Sequence, residues 1–241
     1  MSSTRLTADQ INALAAFDTP TIANAMDSLH IGAQPCMGPQ VRAMAGASTV
    51  VGMAVTATMQ EQWGGAFAHL EPWLGFLEEI ERAGLPSVAV FQDTSQTPGR
   101  EAMIGEGMAR LMQHAGARAV ICAGSIRDIA ALRQLSLPVW ASGLVAGRGR
   151  IRFHRYQVPV QLDGIEVRPG DVIHADENGA VIVPADRAAD VAAAAARIAE
   201  KETALFRMFE EPDFCVARLR DYYAEMTRSA APQPGDSPAS Q

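Results

Sequence analysis

The spacing of apolar side chains predicts helices and strands that alternate through the middle of the chain. Trp73, Phe76, Leu77 and Ile80 recur at helical spacing and predict a helix that ends near Gly84. Runs of β-branched and apolar residues predict buried strands at 48–60 (STVVGMAVTATMQ), 87–93 (SVAVFQD) and 117–124 (ARAVICAG). Buried strands that alternate with helices favour a partly parallel sheet.

Further helices are predicted on both sides of this region. Thr7 and Gln10 form a capping-box pattern, and Thr19 before Pro20 is typical of an N-cap followed by a proline at the first helical position. A long helix is predicted over about 185–228. One apolar stripe of this long helix carries Val191, Ala195, Ile198, Leu205 and Phe209.

The remaining segments predict a mixed α/β fold. A helix is predicted from Glu106 to Gly116, another over about 125–135, and a strand at 138–142 (PVWAS). The first of these helices should present one apolar face formed by Met108, Leu111, Met112 and Ala115. Turn pairs within 151–184 predict an antiparallel layer of hairpins, namely Asp163-Gly164, Pro169-Gly170 and Asn178-Gly179.

The composition is that of one globular domain with an extension. A chain of 241 residues with 48% hydrophobic content can bury a large core. The segment 1–228 is therefore predicted to form a single domain. The segment 229–241 (SAAPQPGDSPASQ) has no core-forming residues and is predicted to be a disordered tail.

The net charge of -7 argues against nucleic acid as a partner, because an acidic surface repels a phosphate backbone. Arg148, Arg150 and Arg152 alternate, so they would share one face of a strand. Three interpretations of this arginine run stay open: an RNA or partner patch, a rim beside an anionic substrate, or plain surface.

A cytoplasmic location without membrane contact is expected. The first ten residues lack the blocks of a signal peptide, and no apolar run approaches the roughly 18 residues that span a bilayer. Cys36, Cys122 and Cys215 form no CxxC pair, so they are predicted to be reduced, buried thiols.

Several other residues favour structural roles. Asp171 and Asp176 are interpreted as turn-forming aspartates, and the histidines are scattered without metal-ligand spacing. Trp63 and Trp73 flank a segment that either lines a pocket or packs in the core, and the core is favoured.

Chemistry is predicted where Gly105 leads into a helix. The free N–H groups of Gly105, Glu106, Gly107 and Met108 and the positive end of the helix dipole favour an anion there. Glycines at positions 105 and 107 leave room for close backbone approach. Most helix starts bind only water or a cap, so this feature is not specific by itself.

The loop after the next strand should lie beside this helix start, and it contains Arg127 and Asp128. Arg127 offers a planar fork suited to a carboxylate, and Asp128 a hard oxygen ligand suited to Mg²⁺ or Mn²⁺. The alternative is structural: Ser125 and Asp128 fit the capping pattern [ST]xx[DE], with Arg127 on a solvated face.

The run GEGMARLMQHAGARAVICAGSIRD at 105–128 and the run VRPGDVIHADENGAVIVP at 167–184 together resemble the RraA-like family. That family includes class II aldolases for 4-hydroxy-4-methyl-2-oxoglutarate and 4-carboxy-4-hydroxy-2-oxoadipate, together with the regulator of ribonuclease activity A. The early helix DTPTIANAMDSL and the strand GMAVTATMQ also look like the family's opening, so the resemblance covers most of 15–205.

The resemblance implies a β/β/α swivelling-type fold with a long C-terminal helix, a homotrimer or dimer of trimers, and active sites between subunits. By carry-over, the backbone of Gly105 to Met108 and the Arg127 guanidinium would hold the substrate's pyruvyl carboxylate, and Asp128 would anchor the metal. A divalent cation on the 2-oxo oxygen would then stabilise the pyruvate enolate left by retro-aldol cleavage.

The resemblance also points to a glutamate from a neighbouring subunit. Glu202 is the candidate because it falls on the predicted apolar stripe; an interfacial salt bridge is its alternative role. One departure stands out, since Ala131 occupies a position where the family's aldolases usually carry an acidic residue. Glu106 could supply that carboxylate or be an ordinary first-turn acid.

The leading hypothesis is therefore a metal-dependent carbon–carbon lyase that cleaves a 4-hydroxy-2-oxo acid to pyruvate, or decarboxylates a 2-oxo diacid such as oxaloacetate. The rival is a non-catalytic, protein-binding regulator on the same scaffold. A further option is another metal-assisted enolate chemistry, such as hydration or isomerisation. Arg127 and Asp128 favour the enzyme, whereas Ala131 favours the regulator. The sequence does not decide between Mg²⁺ and Mn²⁺.

Overall fold

The computed structural model describes residues 6–32, 36–46, 48–61, 70–148 and 150–230. Trp63, His69 and residues 231–241 of the predicted tail lie outside the described residues. The chain divides into two compact units, Met1–Ile198 and Ala199–Gln241. None of the helices in the described parts is both long enough and apolar enough to cross a lipid bilayer.

The first unit alternates strands and helices as the apolar pattern predicts. Its helices are α1 (Ala8–Ala15), α2 (Thr19–Ser28), α3 (Leu70–Arg82), α4 (Glu106–Ala115), α5 (Ile129–Leu132) and the first part of α6 (Ala188–Phe209). Its strands are β1 (Arg42–Ala45), β2 (Val50–Glu61), β3 (Ser87–Asp93), β4 (Ala102–Ile104), β5 (Ala117–Ile126), β6 (Val139–Leu144), β7 (Ile151–Tyr156), β8 (Val160–Leu162), β9 (Ile165–Val167), β10 (Val172–Asp176) and β11 (Gly179–Val183).

A mixed sheet forms the centre of the first unit, with strand order β1-β6-β5-β3-β2-β10-β11. The strands β2, β3, β5 and β6 pair in parallel, and β4 pairs in parallel with β5. Antiparallel pairing of β1 with β6, of β10 with β2 and β11, and of β7 with β2 completes the sheet. The mixed α/β class expected from the sequence is confirmed.

Apolar side chains on both faces of the sheet are buried. One cluster joins α3 and α4 to the sheet through Phe76, Phe91 and Phe153. The alternate residues of the same strands, such as Val90 and Ile121, pack with the β8–β9 hairpin and Trp140. Since both faces are covered, the central strands are almost continuously apolar, as in other parallel sheets.

Two of the three predicted turns form hairpins, β8–β9 and β10–β11, whereas the turn at Pro169-Gly170 connects β9 and β10, which lie in different sheets. Asp163 and Gly164 have left-handed φ values of 42° and 94° between β8 and β9. The Asp171 carboxylate accepts the Arg168 N–H at 2.7 Å, and the Asp176 carboxylate accepts the Asn178 N–H at 2.7 Å. Their interpretation as turn-forming aspartates is confirmed.

The start of α2 differs from the prediction, because Asp18 rather than Thr19 is its N-cap and accepts the Thr21 N–H at 2.9 Å. Thr19 is drawn to the sheet instead. Its hydroxyl lies 2.9 Å from Nδ1 of the fully buried His174, and its N–H donates to the Asp176 carboxylate at 2.7 Å.

Three further predictions are corrected, namely the start of one helix, the number of strands and the buried face of α4. The helix predicted over 125–135 is shorter, because residues 125 and 126 continue β5 by pairing with β4 and β6. The sequence analysis missed the short strands β1 and β4. Leu111, placed on the apolar face of α4, is 50% exposed, and Ala109 is buried in its stead.

The predicted burial of the cysteines holds for one residue only. Cys122 is buried in β5, where burial raises the pKa of its thiol, whereas Cys36 and Cys215 are exposed. All three thiols are free.

The second unit contains the end of α6 and a separate helix, α7 (Val216–Ala230). The single helix predicted over 185–228 is therefore wrong. Pro212 lies in the break, where a proline has no N–H to donate to a continuing helix. Arg218 pairs there with Glu211 at 2.6 Å and Asp213 at 2.7 Å.

Candidate active site

Two neighbouring strands bring the two predicted loops together. In the parallel pair β4–β5, Ala102 is aligned with Ser125 and Ile104 with Ile126. Strand β4 leads into Gly105 and α4, and β5 leads into Arg127 and Asp128. The Arg127 N–H donates to the Ile104 carbonyl at 3.0 Å, so the second loop begins against the end of β4.

The Asp128 carboxylate caps α4 and not its own helix. Its Oδ2 accepts the Glu106 N–H at 3.1 Å and lies 3.5 Å from Nε of Arg127. Asp128 has a left-handed backbone (φ 61°, ψ 33°), and it makes no side-chain cap to α5. Ser125 lies within β5 and donates to the Gly99 carbonyl at 2.7 Å, so the capping pattern proposed for Ser125 and Asp128 is not formed.

Gly105 is required by this arrangement. A Cβ at residue 105 would lie 2.5 Å from Oδ2 of Asp128 and 3.0 Å from Nε of Arg127. A Cβ at Gly107 would meet nothing within 4 Å. Both glycines were expected to leave room for a ligand. The space beside Gly105 is instead filled by the side chains of Asp128 and Arg127, whereas the space beside Gly107 is open.

The converging groups line one cavity of about 290 Å³. Its polar lining comes from the start of α4 and from charged side chains: Gly105, Gly107, Arg127, Asp128, Arg148 and Arg152. Its apolar lining comprises Met59, Trp73, Ala102, Met103, Met108, Ile151 and Phe153. Ligand cavities commonly combine an apolar surround with a few converging polar groups in this way.

Arg148 and Arg152 add positive charge that the sequence analysis did not assign to the site. Partial burial and the neighbouring Arg148 lower the pKa of Arg152, and the Glu101 carboxylate opposes that shift. Of the three interpretations of the arginine run, the rim of a site fits these two positions. Arg148 and Arg150 precede β7, so the expected common strand face is not formed.

Five of the seven predicted site residues line the cavity, namely Gly105, Gly107, Met108, Arg127 and Asp128. Glu106 contributes its N–H to Asp128. Its own carboxylate accepts a hydrogen bond from Nε of Arg110 at 2.8 Å. This matches the alternative role of Glu106 as an ordinary acid in the first turn of a helix. Glu202 lies in α6 and belongs to the second unit, and its role beside a neighbouring subunit's metal stays a prediction.

The donor groups fit a divalent cation only in a restricted form. Asp128 is the one carboxylate that lines the cavity among the described residues, where no group of three or more His, Cys, Asp or Glu side chains could hold a metal. Mg²⁺ is often bound by one or two carboxylates and completes its shell with water and substrate oxygens. Asp128 suits that mode.

Sequence reasoning missed most of the apolar lining. Met59, Met103 and Phe153 were not singled out from the sequence and also belong to the buried core, and Trp73 was favoured as a core residue. Trp73 belongs both to the core and to the wall of the cavity: the centre of its ring lies 4.6 Å from that of Phe153, and the side chain also borders the cavity. Position in a strand does not reveal that a cavity opens beside it.

Comparison with known proteins gives concordant matches. A family model described as RraA-like, Aldolase/RraA, matches residues 19–182. A putative 4-hydroxy-4-methyl-2-oxoglutarate aldolase of Halalkalibacterium halodurans is 33% identical over 79 residues, 32% of this chain and 36% of that protein. A 4-hydroxy-4-methyl-2-oxoglutarate aldolase of Thermus thermophilus is 31% identical over 91 residues, 35% of this chain and 52% of that protein.

The match thus spans about half or less of the length of these two relatives. Among solved structures, Streptomyces coelicolor RraAS2, described as an unusual member of the RNase ES inhibitor RraA protein family, superposes with a TM-score of 0.68. It is 24% identical, and the alignment covers 86% of this chain and 99% of that one. At this identity the likeness speaks for the fold alone.

Proposed function

The chain belongs to the RraA-like family, and from this premise we propose that it is a metal-dependent carbon–carbon lyase that binds a 2-oxo acid in the cavity and releases pyruvate. The substrates we propose are 4-hydroxy-2-oxo acids, cleaved by a retro-aldol reaction, and 2-oxo diacids such as oxaloacetate, which lose carbon dioxide. Both reactions leave the enolate of pyruvate.

One observation carries the proposal: the start of α4, the Arg127 guanidinium and the Asp128 carboxylate face the same cavity. Arg127 offers a planar pair of donors that matches a carboxylate. The N–H groups of Gly107 and Met108 lie in the first turn of α4, where a helix leaves its N–H groups without internal partners. A substrate carboxylate placed between these groups would have both charge and hydrogen bonds satisfied.

Asp128 would hold the metal, either Mg²⁺ or Mn²⁺. When bound, such a cation would act as a Lewis acid that stabilises negative charge on the 2-oxo oxygen. The Glu106 N–H and the Arg127 guanidinium keep the Asp128 carboxylate in place at the cavity wall. The chain's own contribution is thus to fix the carboxylate and to orient the substrate's acid group.

The two proposed reactions make different demands on a base. Retro-aldol cleavage removes the proton of the C4 hydroxyl, whereas decarboxylation of oxaloacetate has no such proton to remove. Ala131 cannot accept a proton, and Glu106 is bonded to Arg110. We therefore propose that decarboxylation needs only the metal held by Asp128 and the carboxylate site formed by Arg127 and the start of α4, while aldol cleavage also needs Glu202 from a neighbouring subunit of a homotrimer or dimer of trimers.

The test is pyruvate release from a panel of 4-hydroxy-2-oxo acids and oxaloacetate, with Mg²⁺, with Mn²⁺ and with EDTA. We expect turnover with metal and its loss in EDTA. Asp128→Asn should reduce turnover by a factor on the order of a hundred or more, because a neutral amide is a weaker metal ligand. Asn is chosen because it tolerates the left-handed backbone of this position, so the fold is preserved.

The matched control is Asp190→Asn, which removes an exposed carboxylate that pairs with Arg187 on the surface. It should leave turnover unchanged. Wild-type turnover that persists in EDTA, or full activity of Asp128→Asn, would contradict the lyase proposal.

A second candidate function rests on Ala131, the departure from the aldolase pattern. In this alternative the protein is a non-catalytic regulator that binds a ribonuclease, in keeping with the inhibitor family to which the Streptomyces coelicolor neighbour is assigned. The test is inhibition of RNA cleavage by a purified ribonuclease of the RNase ES type at equimolar protein. Inhibition without turnover of any panel member would favour the regulator over the lyase.

A further inference from the structure

A methionine of β4 forms part of the inner wall of the cavity. Met103 lines the cavity although only 1% of its surface is exposed, so it borders the cavity from within the core. Met59 and Phe153 belong to the same core cluster and line the cavity as well. The proposed function gives Met103 no role, yet the position of its side chain sets how much space a ligand has there.

Met103 packs against β5, on the face of that strand that carries residues 122 and 124. Its Sδ lies 3.4 Å from Sγ of Cys122. Side chains alternate along a strand, so Ala123 packs with the core cluster on the opposite face of the sheet. The side chain of Met103 therefore lies across a cysteine and a glycine of the neighbouring strand.

The space for Met103 exists because residue 124 is a glycine. A Cβ at Gly124 would overlap Sδ of Met103 and would lie 3.3 Å from its Cγ. Towards β3, the same Cβ would lie 3.2 Å from Cβ of Asp93. The Asp93 carboxylate accepts the N–H groups of Ser95 at 2.9 Å and Gly99 at 2.8 Å, so Asp93 is held in place.

Of the two neighbours of residue 124, Met103 is the one that can move. Methionine has an unbranched, flexible side chain that adapts to the space around it. The thiol of Cys122 blocks movement along β5, and the open space beside Met103 is the cavity. A side chain at residue 124 would therefore push the thioether of Met103 into the cavity.

We propose that Gly124 and Met103 together determine the length of the 2-oxo acid that the cavity accepts. Met103 contacts the ligand, and Gly124 is a positioning residue that keeps Met103 withdrawn against β5. This inference rests on the proposed function, since it takes a ligand held by its carboxylate at Arg127 as given. The favoured ligand is a 2-oxo acid with a chain beyond C3, because pyruvate itself would leave the space beside Met103 unfilled.

The experiment measures the binding of straight-chain 2-oxo acids that differ only in length. Pyruvate, 2-oxobutanoate, 2-oxopentanoate and 2-oxohexanoate share the group proposed to bind at Arg127, and each adds one methylene to the one before. Titration calorimetry in the presence of Mg²⁺ should show that the affinity of the wild-type protein rises from pyruvate to 2-oxopentanoate, because each methylene buries apolar surface.

Two single variants should shift the preferred length in opposite directions. Gly124→Ala should weaken the binding of 2-oxopentanoate relative to pyruvate by about tenfold or more, since one methylene in an apolar pocket changes selectivity by that order. Met103→Ala should extend the preference to 2-oxohexanoate. Met103→Ala needs no room at residue 124, so it tests the same wall even where Gly124→Ala folds poorly.

The double variant Gly124→Ala/Met103→Ala tests whether the two residues act through each other. It should bind 2-oxopentanoate and pyruvate with the wild-type ratio of affinities, because the shortened side chain at residue 103 no longer meets the added methyl group. A double variant that keeps the defect of Gly124→Ala would show that the methyl group acts through Asp93, and the inference would be wrong.

Gly143→Ala is the matched control on the adjacent strand β6. Gly143 is aligned with Ser125, and a Cβ there would lie 3.7 Å from Oγ of Ser125, which is an ordinary contact. This variant should keep the wild-type order of affinities for the four ligands.

The results separate this inference from the proposed function. If pyruvate binds and Gly124→Ala keeps the wild-type order of affinities, the selection of length by Gly124 and Met103 is overturned and the lyase proposal stands. If none of the four ligands binds to the wild-type protein, both are overturned. If Gly124→Ala weakens every ligand by the same factor, Gly124 serves the fold and not selectivity, and the inference is again wrong.

Discussion

At Gly105 a missing side-chain carbon makes room for two functional groups. The Asp128 carboxylate and the Arg127 guanidinium occupy the space that a Cβ would need. The backbone of Gly105 is extended (φ -135°), so any residue could adopt it. The demand for glycine is therefore one of space rather than of backbone conformation.

Gly105→Ala should lower pyruvate release by a factor on the order of a hundred, because a displacement of about 1 Å in a catalytic group costs roughly that much. The added methyl group would push Asp128 and Arg127 away from the positions they hold at the start of α4. The measurement is kcat/KM for the best substrate of the panel, alongside the thermal midpoint of unfolding.

Gly107→Ala is the matched control at the next glycine, two residues further along the chain. Its Cβ meets nothing within 4 Å, and alanine favours a helix over glycine by roughly 0.5–1 kcal/mol. This variant should unfold at a higher urea concentration than the wild type, and Gly105→Ala should not. Equal activity of Gly105→Ala and wild type would refute the spatial role of Gly105.

Among the elements, the junction of α1 and α2 is attached to β10 through one buried histidine. Nε2 of His174 lies 3.2 Å from the Leu14 carbonyl and 3.1 Å from the Phe17 carbonyl, and its Nδ1 faces the Thr19 hydroxyl. This pattern is satisfied by the neutral ring with its proton on Nε2. Burial lowers the pKa of His174 below its usual 6.5, against the opposing effect of the carbonyl groups and of Asp176 and Asp18.

The stability of the protein should consequently fall with acidification below about pH 6.5. Above the unfolded-state pKa of 6.5 the ring is neutral in both states, and its full contribution is present. As the pH falls from there towards the lower folded-state pKa, the unfolded chain takes up the proton first, so folding loses free energy. Urea unfolding between about pH 8 and pH 5.5 measures this loss.

His174→Asn should make that pH dependence shallower, although it also lowers stability at every pH. His154→Asn, which changes an exposed histidine of β7, should keep the wild-type slope. A His174→Asn protein with the same slope as the wild type would show that another group is responsible.

The apolar pattern predicted the presence of helices and strands better than their first and last residues. The run SVAVFQD coincides with β3, because a strand that is buried on both faces consists mostly of consecutive apolar residues. The two-helix ending at 185–230 was not predicted, because alanine and charged residues continue on both sides of Pro212. The predicted N-cap at Thr19 is wrong because its hydroxyl hydrogen-bonds the buried His174 ring, and this tertiary contact outweighs the preference of threonine for a helix start.

At the scale of the molecule, the sequence predicted the polar half of the candidate site and missed the other half. Arg127, Asp128 and the helix start lie at the ends of adjacent parallel strands, so their meeting follows from the order of elements. Arg148 and Arg152 line the cavity from a segment whose backbone donates to Glu101 and whose strand β7 pairs with β2. No local sequence pattern predicts such a long-range hydrogen bond.

Large apolar side chains also remain exposed in the first unit, among them Leu74 (41%), Leu111 (50%) and Leu144 (49%). Single exposed leucines are common in monomers, but together with the family membership they favour self-association. Sedimentation equilibrium should give three or six times the chain mass of 25.7 kDa. Leu111→Lys should shift the distribution towards smaller species, whereas Leu111→Met should not.

A mass of 25.7 kDa at all concentrations would contradict the assembly and with it the role of Glu202 in a neighbouring site.

The indole of Trp73 borders the cavity, while that of Trp140 is fully buried and donates Nε1–H to the Asp176 carbonyl at 2.8 Å. Intrinsic fluorescence should thus contain a component from Trp73 that senses the filling of the cavity, beside the emission of Trp140 and of the third tryptophan, Trp63. The protein carries its own optical reporter of occupancy, one that responds to a silent ligand as readily as to a substrate.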